Sequence, residues 1–174
     1  KTFIYDDEQN LLSTIEGTIL DIANNQKGEV YFVIEKNFSY GIQDAEGKWL
    51  IEPIYDEIIS IVADKICFRK KDKWGVVDMN NNIVIPFAYK EAKPSPSKKF
   101  FVLYDGKKDS KLLNSKGEIV TFGETESIMI TNNYIEYKEK KVRKRVYAEK
   151  NETPQQFLSI KGTSNGIVEA KTTE

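Results

Sequence analysis

The side chains that could do chemistry are unevenly supplied in this 174-residue chain: 27 aspartates and glutamates, one cysteine and no histidine. Without imidazole there is no Ser-His-Asp or Cys-His nucleophile system, and no metal site that depends on histidine. Cys67 lies in the apolar run Ile66-Cys67-Phe68 with no activating base beside it, and reads as a small core residue. A pair of carboxylates working as acid and base on a glycosidic bond is the catalytic arrangement that composition still allows. Asp44 and Asp78 are the repeated acids, but both end an apolar segment and open a polar turn. A carboxylate there caps turn N–H groups. Asp78-Met79-Asn80-Asn81-Asn82 begins like a calcium loop, yet Ile83 stands where glycine is required and Tyr89 where the bidentate glutamate belongs. A hairpin turn accounts for it.

Two further groups of residues could bind rather than catalyse. Lys138, Lys140, Lys141, Arg143, Lys144 and Arg145 form a basic stretch ending near Tyr147. It could hold phosphates or an acidic partner, and it also suits a solvated hairpin or a lysine-protected edge strand. Tyr40, Trp49, Tyr55, Trp74 and Tyr89 recur along the chain. Such rings either pack between neighbouring elements or line a surface that grips a sugar or peptide. The candidate partner surface is therefore Trp49, Tyr55, Trp74, Tyr89, Lys141, Arg143 and Arg145. Asn37-Phe38-Ser39 and Asn151-Glu152-Thr153 match glycosylation sequons, a pattern short enough to arise by chance.

The elements that must position these residues repeat. Tyr40-Gly41-Ile42-Gln43-Asp44 reappears as Trp74-Gly75-Val76-Val77-Asp78, and Trp49 to Tyr55 aligns with Ile83 to Tyr89 at the same offset of 34. Gly41, Asp44, Ile51, Tyr55 and Glu57 are each identical to the residue 34 positions on, where average usage gives roughly one chance match. Weaker copies flank the pair, with anchors at 4, 42, 76, 112 and 146. Degenerate terminal copies are expected, because an end repeat has a neighbour on one side only.

Each unit reads as strands. Val30–Ile34, Ile66–Phe68, Phe100–Tyr104 and Tyr134–Tyr137 are short and rich in aromatic or β-branched residues. A polar turn, the anchor strand, a second turn with Gly or Asn, and a third strand follow in each unit. Pro53 and Pro86 are expected to stop the ladder, since proline has no N–H to offer. Ile54 to Ala63 is the nearest approach to a helix, but Ile58, Ile59, Ile61 and Val62 favour a strand.

Bulk composition agrees with a folded β protein. Nine Tyr and nine Phe are too many for a disordered chain, and no apolar run reaches the roughly 18 residues of a spanning helix. A net charge of −1 creates no general field for nucleic acid or anionic lipid. A single cysteine excludes an intramolecular disulfide framework. The chain opens on Lys1 rather than Met, which fits a cleaved export signal or a segment of a longer protein.

At Lys73-Trp74-Gly75-Val76-Val77-Asp78, followed by Ile83-Val84-Ile85-Pro86 and Tyr89, the sequence resembles the WG-repeat (KWG-repeat) family. The copy at Tyr40-Gly41 fits with Tyr in place of Trp, whereas Ser110-Lys111 replaces Trp-Gly in the third copy. The close match covers about residues 30 to 92 and a loose one nearly the whole chain. The resemblance implies a bacterial protein, often exported, acting as a binding or scaffold module with no shared activity.

The expected fold is all-β, with tandem antiparallel three- or four-stranded meanders in an open superhelical or propeller-like array. Residues 1–162 form the repeat domain, with units near 4–38, 30–65, 66–99 and 100–130 and a degenerate last copy at 134–160. A fraying tail occupies 163–174. The expected function is a non-catalytic module holding a protein or glycan, without cofactor, metal or nucleic acid, in the periplasm, at the cell surface or secreted. A cytoplasmic setting is the alternative. The rival functions are a carboxylate-dependent glycan hydrolase and a purely structural spacer.

Overall fold

Short runs of β-branched and aromatic residues, each closed by a turn that favours left-handed backbone, leave strands as the available structure. The computed structural model describes residues 1–25, 27–125, 127–139, 142–148, 155–157, 159–162 and 168–171. In chain order the strands are β1 (Thr2–Tyr5), β2 (Leu11–Ile15), β3 (Thr18–Asn24), β4 (Val30–Lys36), β5 (Ser39–Asp44), β6 (Trp49–Tyr55) and β7 (Glu57–Val62). They continue as β8 (Lys65–Lys70), β9 (Lys73–Asp78), β10 (Ile83–Tyr89), β11 (Glu91–Pro94), β12 (Phe101–Tyr104), β13 (Asp109–Leu113) and β14 (Ile119–Glu124). The last are β15 (Ile128–Ile130), β16 (Tyr134–Glu139), β17 (Val142–Tyr147), β18 (Gln155–Phe157), β19 (Ser159–Gly162) and β20 (Val168–Lys171). Among the described residues no helix is long and apolar enough to cross a membrane.

Among the described residues, four sheets of four strands each run as simple antiparallel meanders, β3 to β6, β7 to β10, β11 to β14 and β15 to β18. Two-stranded sheets, β1–β2 and β19–β20, precede and follow them in the sequence. The all-β meander architecture is thus as expected, with a different frame. Each four-stranded sheet opens with a strand (β3, β7, β11 or β15) that the sequence reading leaves at the end of the preceding unit. Pro53 and Pro86 do not end their strands, because β6 and β10 are the outermost strands of their sheets and have a free edge. Within the expected tail, Val168–Lys171 pairs with Ser159–Gly162.

The chain divides into two compact units, residues 1–88 and 89–174. In the first, Tyr31, Val33, Ile42, Ile51 and Tyr55 of the first meander pack against Ile66, Phe68 and Val77 of the second. Ile15 of β2 packs with Phe32 and Ile34 on the other face of β4. In the second unit, Phe100, Val102, Tyr104, Leu112 and Phe122 meet Ile135, Tyr137, Val146 and Ala148. Each core is therefore a contact between one face of a sheet and the facing side of the next.

One turn device recurs, between β1 and β2 and between the third and fourth strands of the first three meanders. Asp6, Asp44, Asp78 and Asn114 each accept, at Oδ1, the N–H four residues on, at 2.8–2.9 Å. The residue three positions on has positive φ: Gln9 at 66°, Gly47 at 83°, Asn81 at 64° and Gly117 at 80°. The oxygens of Asp44 and Asp78 are thus engaged as turn caps. Burial pulls the Asp78 carboxyl upward, but hydrogen bonds from the Asn82 side chain and backbone and from Asn80, with Lys65 nearby, hold its pKa below the usual value.

Gly41 and Gly75 answer a different need. A Cβ on Gly41 would lie 2.5 Å from the Ile51 carbonyl oxygen and 2.8 Å from the Pro53 nitrogen. On Gly75 it would lie 2.9 Å from the Ile85 carbonyl oxygen and 2.8 Å from the Phe87 ring. The fourth strand crosses so close to the third that only glycine fits.

Gly75→Ala is therefore expected to destabilise the protein by roughly 1–3 kcal/mol, read as a lowered thermal midpoint. Gly28→Ala, whose added Cβ meets nothing within 4 Å, should cost only the strain of its φ of 83°. Equal losses in the two variants would refute the crowding argument. A depressed folded-state pKa at Asp78 adds stability above the unfolded value of 3.8, which is lost as pH falls through the lower folded value. Asp78→Asn should keep the cap, as Asn114 does, and should flatten the acid limb of stability below about pH 4. An unchanged acid limb in chemical denaturation would contradict this.

Candidate functional site

The site is best found by asking where the repeat breaks its own packing rule. On the second and third strands of the first three meanders, directly opposed residues are apolar: Val33 with Ile42, Cys67 with Val76, and Val102 with Leu112. All six are buried. In the fourth meander the equivalent pair is Glu136 with Arg145. The equivalence rests on the neighbouring register, since Ile135 opposes Val146 as Ile66 opposes Val77, and both pairs are core. The last anchor is therefore Arg145, and the sequence reading of Val146 is one residue late. One residue in a strand exchanges the two faces.

By alternation, Tyr134, Glu136 and Lys138 of β16 share a face with Tyr147, Arg145 and Arg143 of β17. Arg145 Nη2 donates to Glu136 Oε2 at 3.1 Å, and the Arg145 guanidinium lies 4.1 Å from the centre of the Tyr134 ring. Tyr134 meets Tyr147 edge to face at 5.8 Å. Arg143 Nη1 stands 3.6 Å from Glu136 Oε1. The Glu136 and Arg145 side chains are only 13% and 14% exposed, whereas Arg143 is 57% exposed. Burial works against the Arg145 charge, but hydrogen bonds with Tyr147 and Glu136 outweigh it and raise the guanidinium pKa above its ordinary value. A fixed, stacked arginine beside an exposed arginine and lysine can recognise carboxylate or phosphate groups. Among the described residues, no three His, Cys, Asp or Glu side chains are grouped to hold a metal.

The expected partner surface divides. Arg143 and Arg145 come together around Glu136, and Lys141 lies outside the described residues. The aromatic part needs correction, because Tyr55, Trp74 and Tyr89 are 3%, 8% and 5% exposed and are packing residues. Tyr55 stacks on Phe68 at 4.1 Å, and its hydroxyl donates to Asn81 Oδ1 at 2.6 Å, which ties the first meander to a turn of the second. Arg69 lies over Trp74 and Lys108 over Tyr89. Trp49 is half-buried against the Ile15–Phe32–Ile34 core. Rings buried to this degree leave little surface for a ligand. Tyr134, Glu136 and Tyr147 were missed as site residues. Their signal was a charge pair at positions that are apolar in three earlier copies, visible only with the last copy aligned at 145.

Cys67 is fully buried, and burial pushes its thiol well above the usual value. It belongs to no site.

Comparison with known proteins bears on the repeat. The WG containing repeat family model matches residues 40–74 and 74–107. No curated protein matches the sequence. Among solved structures, the chain is similar to a eukaryotic initiation factor at 11% identity and a TM-score of 0.45, covering 95% of this chain and 53% of that one. It is similar to the N-terminal domain of Nup159 at 10% identity and a TM-score of 0.43, covering 80% and 43%. It is also similar to Kuenenia stuttgartiensis hydrazine synthase at 12% identity and a TM-score of 0.32, covering 86% and 57%. The chain thus spans about half the length of each of these. The family match begins at Tyr40 and begins again at Trp74, on the third strand of successive sheets, as the recurring Gly-containing strand requires. The WG containing repeat thus occurs twice in this chain, the two copies following one another from Tyr40 to Lys107.

Proposed function

We propose that the chain is a non-catalytic binding module that holds an acidic segment of a protein partner on the Tyr134–Arg145 face of its fourth meander. The observation that carries this reading is the exchange of a core pair for Glu136 and Arg145, with Arg143 and Lys138 exposed beside them. A purely structural spacer requires only a polar end face. It gives no reason for a guanidinium stacked on a tyrosine and held by a carboxylate, an arrangement that costs desolvation. A protein is favoured over a glycan because three of the rings expected to stack on sugars, Tyr55, Trp74 and Tyr89, are buried. A hydrolase is disfavoured because the two repeated acids, Asp44 and Asp78, are engaged in turns. The resemblance to WG-repeat proteins of bacteria, often exported, supports an envelope setting for the partner.

The immobilised chain should retain a specific protein from native lysate at low salt. Lys138→Glu with Arg143→Glu should abolish that retention while the far-UV circular dichroism spectrum stays that of the parent; the like charges placed beside Glu136 lower the thermal midpoint without unfolding the chain. Retention unchanged by the double reversal, or none above inert beads, would sink the proposal.

A further inference from the structure

A second surface, in the first unit, has the opposite character. Three turns border a cleft of about 470 Å³: the one between β3 and β4, the one between β5 and β6, and the one between β9 and β10. This is the size of a pocket that takes a side chain or a short peptide segment. Tyr31, Leu50 and Met79 form its apolar part, and all three belong to or pack on the core between the first two meanders. Among the described residues, the charged ones that line it are Glu29, Asp44 and Glu46, with no lysine or arginine.

These carboxylates are not equally committed. Asp44 Oδ1 caps its turn, and Glu29 accepts from the Asn25 side chain. No hydrogen bond or ion pair of the Glu46 side chain is found among the described residues, and both glutamates are exposed at the rim. Deeper in, burial and then the nearby Asp64 charge push the Tyr31 hydroxyl pKa up to about 12, in keeping with a field that disfavours further negative charge. An apolar floor under an acidic rim suits a group with a long hydrocarbon stem and a cationic head, a combination that lysine and arginine side chains supply.

We infer that this cleft is a docking site for a lysine- or arginine-bearing segment of a partner protein, with the stem over Tyr31, Leu50 and Met79 and the head among Glu29, Asp44 and Glu46. The basis is charge complementarity joined to an apolar floor. This site differs in sign and in location from the fourth-meander face, and it does not depend on that assignment.

The test is an NMR titration of the labelled protein with a blocked hexapeptide of alternating lysine and alanine, beside its glutamate counterpart. The lysine peptide should shift amides of Glu29–Tyr31, Asp44–Leu50 and Met79–Asn80, and less so as salt rises. The glutamate peptide should leave these amides unmoved. Glu29→Gln with Glu46→Gln keeps the turn cap at Asp44 and should weaken lysine-peptide binding by roughly an order of magnitude, at an unchanged thermal midpoint. The Lys138→Glu, Arg143→Glu variant should bind the lysine peptide like the parent, which separates this proposal from the previous one. Shifts confined to other residues, equal binding of both peptides, undiminished affinity in the double glutamine variant, or no shifts at peptide saturation of the measurement would each overturn it.

Discussion

Contact between the faces of consecutive sheets is what the rest of this structure depends on. A four-stranded sheet of this length cannot bury enough of itself to be stable alone. In the first unit, Val33 and Ile42 on one meander meet Ile66, Phe68 and Val77 on the next, and Tyr55 stacks on Phe68 at 4.1 Å. In the second unit, Val102 and Leu112 meet Ile135, Tyr137 and Val146 in the same way. Within each unit the facing sides of the two meanders are therefore apolar. That contact takes up Tyr31, Tyr55 and Phe68 in the first unit and Phe100, Tyr104, Phe122 and Tyr137 in the second.

The other recurring features serve that contact. Glycine at 41 and 75 lets the fourth strand cross close to the third, so that the sheet carries its Pro-containing outer strand without a gap. The Asx turn between those strands uses a side-chain oxygen to satisfy N–H groups that no ladder can reach. An aspartate repeated at a fixed spacing beside a polar turn invites a catalytic reading, and here the spacing is that of the turn itself. The same logic explains Tyr55, whose ring is in the core while its hydroxyl holds Asn81 in the next turn.

At one equivalent pair of positions the chemistry changes. In the fourth meander the stripe that carries Val33, Cys67 and Val102 in earlier copies carries Glu136, and the opposing position carries Arg145. In the first unit the turns that close the meanders gather Glu29, Asp44 and Glu46 over an apolar floor. Both surfaces place charge at positions outside the apolar contacts between sheets. The near balance of 26 basic and 27 acidic residues hides this, because a net charge of −1 says nothing about where the charges lie.

The sequence by itself determined the fold class, the period and the identity of the repeat. Strand runs, turn residues and the 34-residue match of Gly41 to Gly75 are local signals, and local signals survive without coordinates. It also made the turn role of Asp44 and Asp78 and the inert character of Cys67 legible. The phase of the repeat was decided only by tertiary structure. A period has no intrinsic starting point, so nothing along the chain showed that each sheet opens at β3, β7, β11 or β15. The direction of each side chain was likewise beyond the sequence, since a shift of one residue moves Arg145 from one face to the other. Whether Tyr55, Trp74 and Tyr89 look outward or inward depends on the neighbouring sheet, and the carboxylates of the cleft belong to turns far apart in sequence. Long-range packing brought each of these about.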